Sequence, residues 1–218
     1  MGENLLSEII TFGLLAFTSF FTLINPLGVM PIFMTMTSEL QKEHRTKVAM
    51  KASFVALIIL VFFAVSGQLL INFFGISVNS FKIVGGVIFF LMGMDMLQAR
   101  LGKVKIKDSE VKSYANDISI TPLAIPMICG PGAITNAIVM MEEANSIAMQ
   151  SVLLFSICFV IFLTYIILFS SSKIIKVLGE TGNNVLMRLM GLIVMVIAVE
   201  FFFSGLKPIL QDILTMST

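Results

Sequence analysis

Residues 22–33 read TLINPLGVMPIF: two prolines, a glycine and an asparagine inside an apolar run of helix-forming length. Proline lacks the N–H that a helix interior needs, and its ring crowds the preceding turn, so an unbroken helix through Pro26 and Pro31 would lose hydrogen bonds. The stretch reads instead as a helix start. Asparagine is a preferred N-cap, and proline suits the first helical position, where its missing N–H would be unpaired anyway. Asn25-Pro26 is therefore expected to close one helix and open a second, short one, with Pro31 as a competing start.

Composition identifies the solvent. Of 218 residues, 57% are hydrophobic and 12% charged, with a mean hydropathy of +1.01, so a water-soluble fold would leave too much apolar surface uncovered. Six stretches, at about 9–36, 52–74, 78–97, 118–141, 151–172 and 185–206, are long enough to cross a hydrocarbon core of roughly 30 Å. Continuous apolar runs without two-residue alternation favour helices over a barrel. The expected fold is an all-α polytopic membrane protein of six transmembrane helices in a single membrane domain. The longest non-apolar piece, QARLGKVKIKDSEVKSYAND at 98–117, reads as an exposed loop.

The N-terminal MGENLLSEII has Glu3 and Glu8 but no basic residue, which argues against a cleaved signal peptide. Cys129 and Cys158 fall in apolar segments, where a thiol behaves as a small hydrophobe. A net charge of +1, with the basic residues in loops, gives no support to nucleic-acid binding. Placement matters more. Lys42, Arg45, Lys47, Lys51, Arg100, Lys103, Lys105, Lys107, Lys112, Lys173, Lys176 and Arg188 share the face reached after spans 1, 3 and 5, against Lys82 and Lys207 on the other. The positive-inside rule makes the crowded face cytoplasmic and both termini external.

Shifting the chain by 105 residues aligns Pro26 with Pro131, Ser66 with Ser171, Asn79 with Asn184, Gly86 with Gly191 and Asp95 with Glu200. The small residues Gly86 and Gly93 also match Gly191 and Ala198. A shift of 100 would pair Pro26 and Pro31 with Pro126 and Pro131 but loses the glycine and acid matches. The chain reads as two three-span halves, 1–105 and 106–218, and an odd number of spans inverts the second half relative to the first. The partner of the first break is PMICGPGAITN at 126–136, where Gly130-Pro131 begins the corresponding short helix.

Ten rises of 1.5 Å separate each break from the end of its span, about 15 Å, which places both breaks near the bilayer midplane. Two helix N-termini meeting there would aim unpaired N–H groups into one cavity and favour an anionic group such as a carboxylate. Gly28, Gly130 and Gly132 would let a ligand approach the backbone. Thr11, Thr18, Thr22 and Asn25 share a helix face that could line the path, and Thr135 and Asn136 follow the second break. The plainer alternative is a pair of kinked helices satisfied by neighbouring hydroxyls, with the threonines as packing glue.

Two acids, Asp95 in LMGMDML and Glu200 in IAVEFFF, stand among apolar residues and are candidates for coupling to protons or Na+. The plainer reading of Asp95 pairs it with a loop lysine such as Lys103. Lys82 and Arg188 are expected to snorkel. The lone histidine, His44, lies in a loop, which excludes a histidine-based catalytic or metal site within the bilayer. Neither enzymatic activity nor a cofactor is expected.

INPLGVMPIF at 24–33 and GPGAIT at 130–135, with six spans in about 220 residues, resemble the MarC family of bacterial and archaeal membrane proteins over essentially the whole chain. The resemblance implies a protein of a prokaryotic cytoplasmic membrane, grouped with amino-acid exporters, some of them described as transporters of small neutral amino acids. Its motifs single out Asn25, Pro26, Gly28 and Pro31, with Gly130, Pro131, Gly132 and Thr135. The resulting expectation is a secondary transporter of small neutral amino acids, an exporter or exchanger, working by alternating access. The carboxylate would sit at the half-helix N-termini, near Thr22. The alternatives are a channel-like pore for small solutes and a membrane protein that transports nothing. The glycine faces of spans 3 and 6 would pack within one chain or between copies of a homo-oligomer.

Overall fold

The computed structural model describes residues 2–75, 77–98 and 111–216. Among them there is no β-strand, and the order is α1 (Gly2–Ile24), α2 (Pro26–Met36), α3 (Lys42–Phe74), α4 (Val78–Leu97), α5 (Val111–Ile118), a wide irregular coil (Ser119–Ile128), α6 (Pro131–Glu143) and α7 (Ile147–Met216). The boundary drawn at 105/106, and Arg100, Lys103, Lys105 and Lys107, lie outside the described residues.

Five helical segments are long and apolar enough to cross a membrane: Leu6–Met36, Lys42–Gly67, Val78–Leu97, Ile147–Ser171 and Asn184–Leu214. A sixth span is a bent pair, Tyr114–Ile128 and Pro131–Glu143, at 57° to one another. The six spans read from sequence are all present, the third with the bounds expected. Although α7 is continuous by hydrogen bonding over 70 residues, Gly179 has φ 69 and ψ 178, a conformation essentially reserved for glycine, and divides it into two limbs. An unbroken helix of that length would reach about 105 Å, far beyond any bilayer.

The membrane reverses the inside-out rule of soluble folds. Along α3, Ala49, Ala52, Ala56 and Ala64 are buried, while Phe54, Ile58, Phe62 and Val65 are exposed. Lipid is as apolar as a phenylalanine ring, so large side chains gain little by turning inward, and small ones let backbones approach. Close approach is most developed where α4 meets the second limb of α7. A Cβ placed on Gly93 would lie 2.8 Å from the Gly191 carbonyl oxygen, and one on Gly191 2.8 Å from that of Gly93. A Cβ on Gly86 would stand 2.7 Å from the carbonyl of Ala198.

These contacts run antiparallel and are reciprocal. Advancing Gly86 by 105 gives Gly191, and setting Ala198 back by 105 gives Gly93, so the contact of the first pair reappears as that of the second. The outer helices also pack in pairs. Gly13 of α1 packs on Val152 in the first limb of α7, and Gly67 of α3 packs on Ile138 of α6. Span 1 thus packs on span 5, and span 2 on span 4.

Candidate functional site

The first break is built by one residue. Asn25 takes φ 46 and ψ 64, the left-handed conformation that asparagine tolerates better than other residues bearing a Cβ. Its N–H still donates to the Phe21 carbonyl at 3.0 Å, finishing α1, while its own carbonyl receives Gly28 N–H at 2.9 Å and Val29 N–H at 3.1 Å, starting α2. The side-chain Oδ1 also accepts from Gly28 N–H at 3.2 Å. The short helix therefore starts at Pro26, and Pro31 lies buried inside it. The Thr35 hydroxyl donates to the Pro31 carbonyl at 3.0 Å. Gly28 has a more local use than ligand approach: a Cβ there would fall on the Asn25 amide.

The second break is opened differently. Thr121 and Ile125 hold extended φ/ψ, as residues before proline prefer, and Pro122 and Pro126 follow them through cis bonds. Cys129 leaves the helical region at φ −101 and ψ 67, and Gly130, extended at φ −80 and ψ 166, stands as the N-cap with no side-chain hydrogen bond. Ile134 N–H donates to the Gly130 carbonyl at 3.0 Å. The N–H groups of Gly132 and Ala133, in the first turn after Pro131, have no acceptor within α6 by helix geometry. One turn in, the Thr135 hydroxyl is buried and has no hydrogen-bond partner.

Phe89 of α4 stands between the two starts. A Cβ on Gly130 would meet its Cζ at 2.5 Å, and one on Gly132 would meet its Cε2 at 3.5 Å and Leu23 Cδ2 at 3.2 Å. On its other side Phe89 helps line a cavity of about 40 Å³ with Leu23, Asn25, Gly28, Met92 and Met96. One water needs roughly 10–15 Å³ by this measure, so the space suits a few waters or the first atoms of a small solute. The two helix starts, expected to share one cavity, do not: the cavity at Asn25 and Gly28 is lined by Phe89 but not by Gly130, Pro131, Gly132 or Thr135.

From this cavity a second one, of about 140 Å³, continues along α4 past Asp95, Pro122 and Pro126. Ile32, Met92, Met96 and Met127 line both. Phe89 and Asp95 are six residues apart, about 9 Å along the helix. Asp95 forms no ion pair with any described residue.

Other expected residues fall elsewhere. Thr11, Thr18 and Thr22 are on the exposed face of α1, and none lines either cavity. Thr11 and Thr18 hydroxyls donate to the Ser7 and Leu14 carbonyls, both at 2.8 Å, which lets them face lipid at little cost. Glu200 is exposed on α7 and borders neither cavity. Asn136 is half-buried, its amide 3.5 Å from Met140 Sδ. Phe89, Met92, Met96 and Met127 are the residues sequence reasoning passed over. The one signal available was the spacing of 89, 92 and 96 along one face of span 3.

Residues 10–210 match the model of a family described as MarC family integral membrane protein. Among curated proteins, the chain is 40% identical over 198 residues to a UPF0056 membrane protein of Pyrococcus abyssi, covering 90% of this chain and 94% of that one. A UPF0056 membrane protein of Methanocaldococcus jannaschii is 37% identical over 195 residues, covering 89% and 95%. Another, from Buchnera aphidicola of Schizaphis graminum, is 36% identical over 201 residues, covering 91% and 93%. No solved structure matches the chain.

Proposed function

The chain belongs to the MarC family of integral membrane proteins, and from that premise we propose that it is a secondary transporter of small neutral amino acids in a prokaryotic cytoplasmic membrane, its termini external. The observation that carries this reading is the cavity at the Asn25–Gly28 break, lined by Phe89 and by Met92, Met96 and Met127. A small cavity lined in this way suits alternating access better than an open pore.

In the proposed cycle the substrate carboxylate docks on the N–H groups of Gly132 and Ala133, where the positive end of α6 and the unpaired Thr135 hydroxyl favour an anion. The Asn25 amide faces the same molecule from α2 once Phe89 withdraws. The ammonium end is held toward Asp95 during passage. The Asp95 carboxylate, and not the outlying Glu200, is then the group through which a proton or Na+ is coupled. A small neutral side chain fits because the site offers little volume and no cation. No reaction is catalysed in this scheme.

Counterflow of labelled glycine, alanine and serine in proteoliposomes tests the proposal, with Asn25→Leu and Gly132→Leu as controls. Exchange lost in both variants supports a site at the two breaks. Absence of exchange by the unmodified protein for all three, under imposed proton and sodium gradients, would overturn the assignment.

A further inference from the structure

At the lysine-rich end, away from the breaks, α3 and α5 enclose a cavity of about 230 Å³ lined by His44, Lys47, Lys51, Asn116 and Ser119. The three basic positions recur at spacings of three and four, so they lie on one face of α3 and converge on one opening. Lys51 Nζ donates to Asn116 Oδ1 at 2.8 Å, which joins the two helices and fixes the ammonium at the cavity wall. Lys47 meets Glu43 at 2.8 Å on the exposed side. His44 Nδ1 is buried without a hydrogen-bond partner, and no carboxylate among the described residues lines the cavity.

Depth is set by the next turn of α3. Met50 and Phe54, at 56% and 61% exposure, begin the apolar stripe that faces the bilayer, so the lysines stand where hydrocarbon gives way to headgroups. The Lys51 ammonium held at the wall, the neighbouring Lys47 and the Asn116 amide match the oxygens of one phosphate. We propose that this pocket binds a phosphate group, either the phosphodiester of an anionic lipid headgroup or free phosphate. Lys47 and Lys51 supply charge, and the Asn116 amide N–H supplies a donor.

The test uses the full chain in neutral detergent, with binding read by native mass spectrometry and by melting temperature. Phosphatidylglycerol, phosphatidylcholine and inorganic phosphate are the probes. One retained phosphatidylglycerol, stabilising where phosphatidylcholine does not, assigns the lipid source; stabilisation by inorganic phosphate alone keeps the phosphate site and assigns the soluble source. Lys47→Gln/Lys51→Gln should weaken binding about thirtyfold, given the usual worth of two lysines near an anionic surface. Asn116→Asp, which leaves both lysines in place and adds a negative charge to the wall, should also weaken it. Lys42→Gln/Arg188→Gln removes two charges outside the pocket and should leave affinity within about threefold. Equal losses in the pocket and control variants, equal binding of both lipids, or no binding of any probe would overturn the proposal.

Discussion

Gly130→Ala is the most direct test of the phenyl ring between the two helix starts. The backbone there is extended, so alanine carries no conformational penalty, and the effect comes from space alone. The new methyl would lie 2.5 Å from Phe89 Cζ, 2.6 Å from its Cε1 and 2.7 Å from the Pro126 carbonyl oxygen. Ordinary contact begins at 3.4 Å, so the ring must retreat by the difference between 2.5 and 3.4, about 0.9 Å. Overpacking of this kind costs about 1–3 kcal/mol. For a chain of this size, that lowers the melting midpoint by about 2–4 °C per kcal/mol. Phe89→Leu shortens the obstruction, so the double variant should recover part of the loss; Pro126 still resists the methyl. Contacting residues couple by about 0.5–3 kcal/mol in a double-mutant cycle. Melting of the four proteins in one detergent at one scan rate measures it. Additive losses in Gly130→Ala and Phe89→Leu would show that the ring does not rest on Gly130, and the gate assigned to it would fall.

Thr135→Val should leave the melting temperature unchanged or raise it, because an unpaired buried hydroxyl is removed, while raising KM for exchange about tenfold; a fall in stability with unchanged KM would contradict a ligand role. Asn25→Ala should destabilise by about 2–3 kcal/mol through loss of the cap and left-handed strain, whereas Asn25→Gly keeps the conformation and should lose about 1 kcal/mol, read from the same melts. Asp95→Asn should lower counterflow at least tenfold, whereas Glu200→Gln stays within about twofold; the reverse order would move coupling to α7. Gly191→Leu should separate α4 from α7 and cost several kcal/mol, seen as loss of the monodisperse peak in size-exclusion chromatography.

The breaks were legible because proline and asparagine act locally. Asn25-Pro26 and Gly130-Pro131 set where the short helices begin whatever surrounds them, and the 105-residue shift tied one to the other. Facing was harder to read. Thr11, Thr18 and Thr22 suggested a polar path, but a threonine hydroxyl can spend its hydrogen bond on its own helix, so spacing does not say which way it looks. Asp95 and Glu200 align in sequence and both are exposed, but only Asp95 borders a cavity, beside Pro122, Pro126 and Met127 of the coil. Phe89 was invisible because its role depends on two glycines more than forty residues away, and an apolar side chain in an apolar span carries no mark of its own.

The reciprocal crossing of α4 and α7 bears on timing. When the contact of Gly86 with Ala198 is repeated by Gly191 with Gly93, the seam presents the same backbone contact to each half. For a transporter built this way, the inward- and outward-facing forms amount to the two halves trading conformations, and the backbone contact at the seam is repeated in both. Their energy difference then falls on positions where the halves are unlike, among them Asn25 opposite Gly130, Met30 opposite Thr135, Asp95 opposite Glu200 and, at the seam, Gly93 opposite Ala198. A bias of 1.4 kcal/mol at any one of them would change the ratio of dwell times tenfold. In such a transporter, substitutions that make one of these pairs alike would act as a clock adjustment, shifting how long it waits on each side of the membrane.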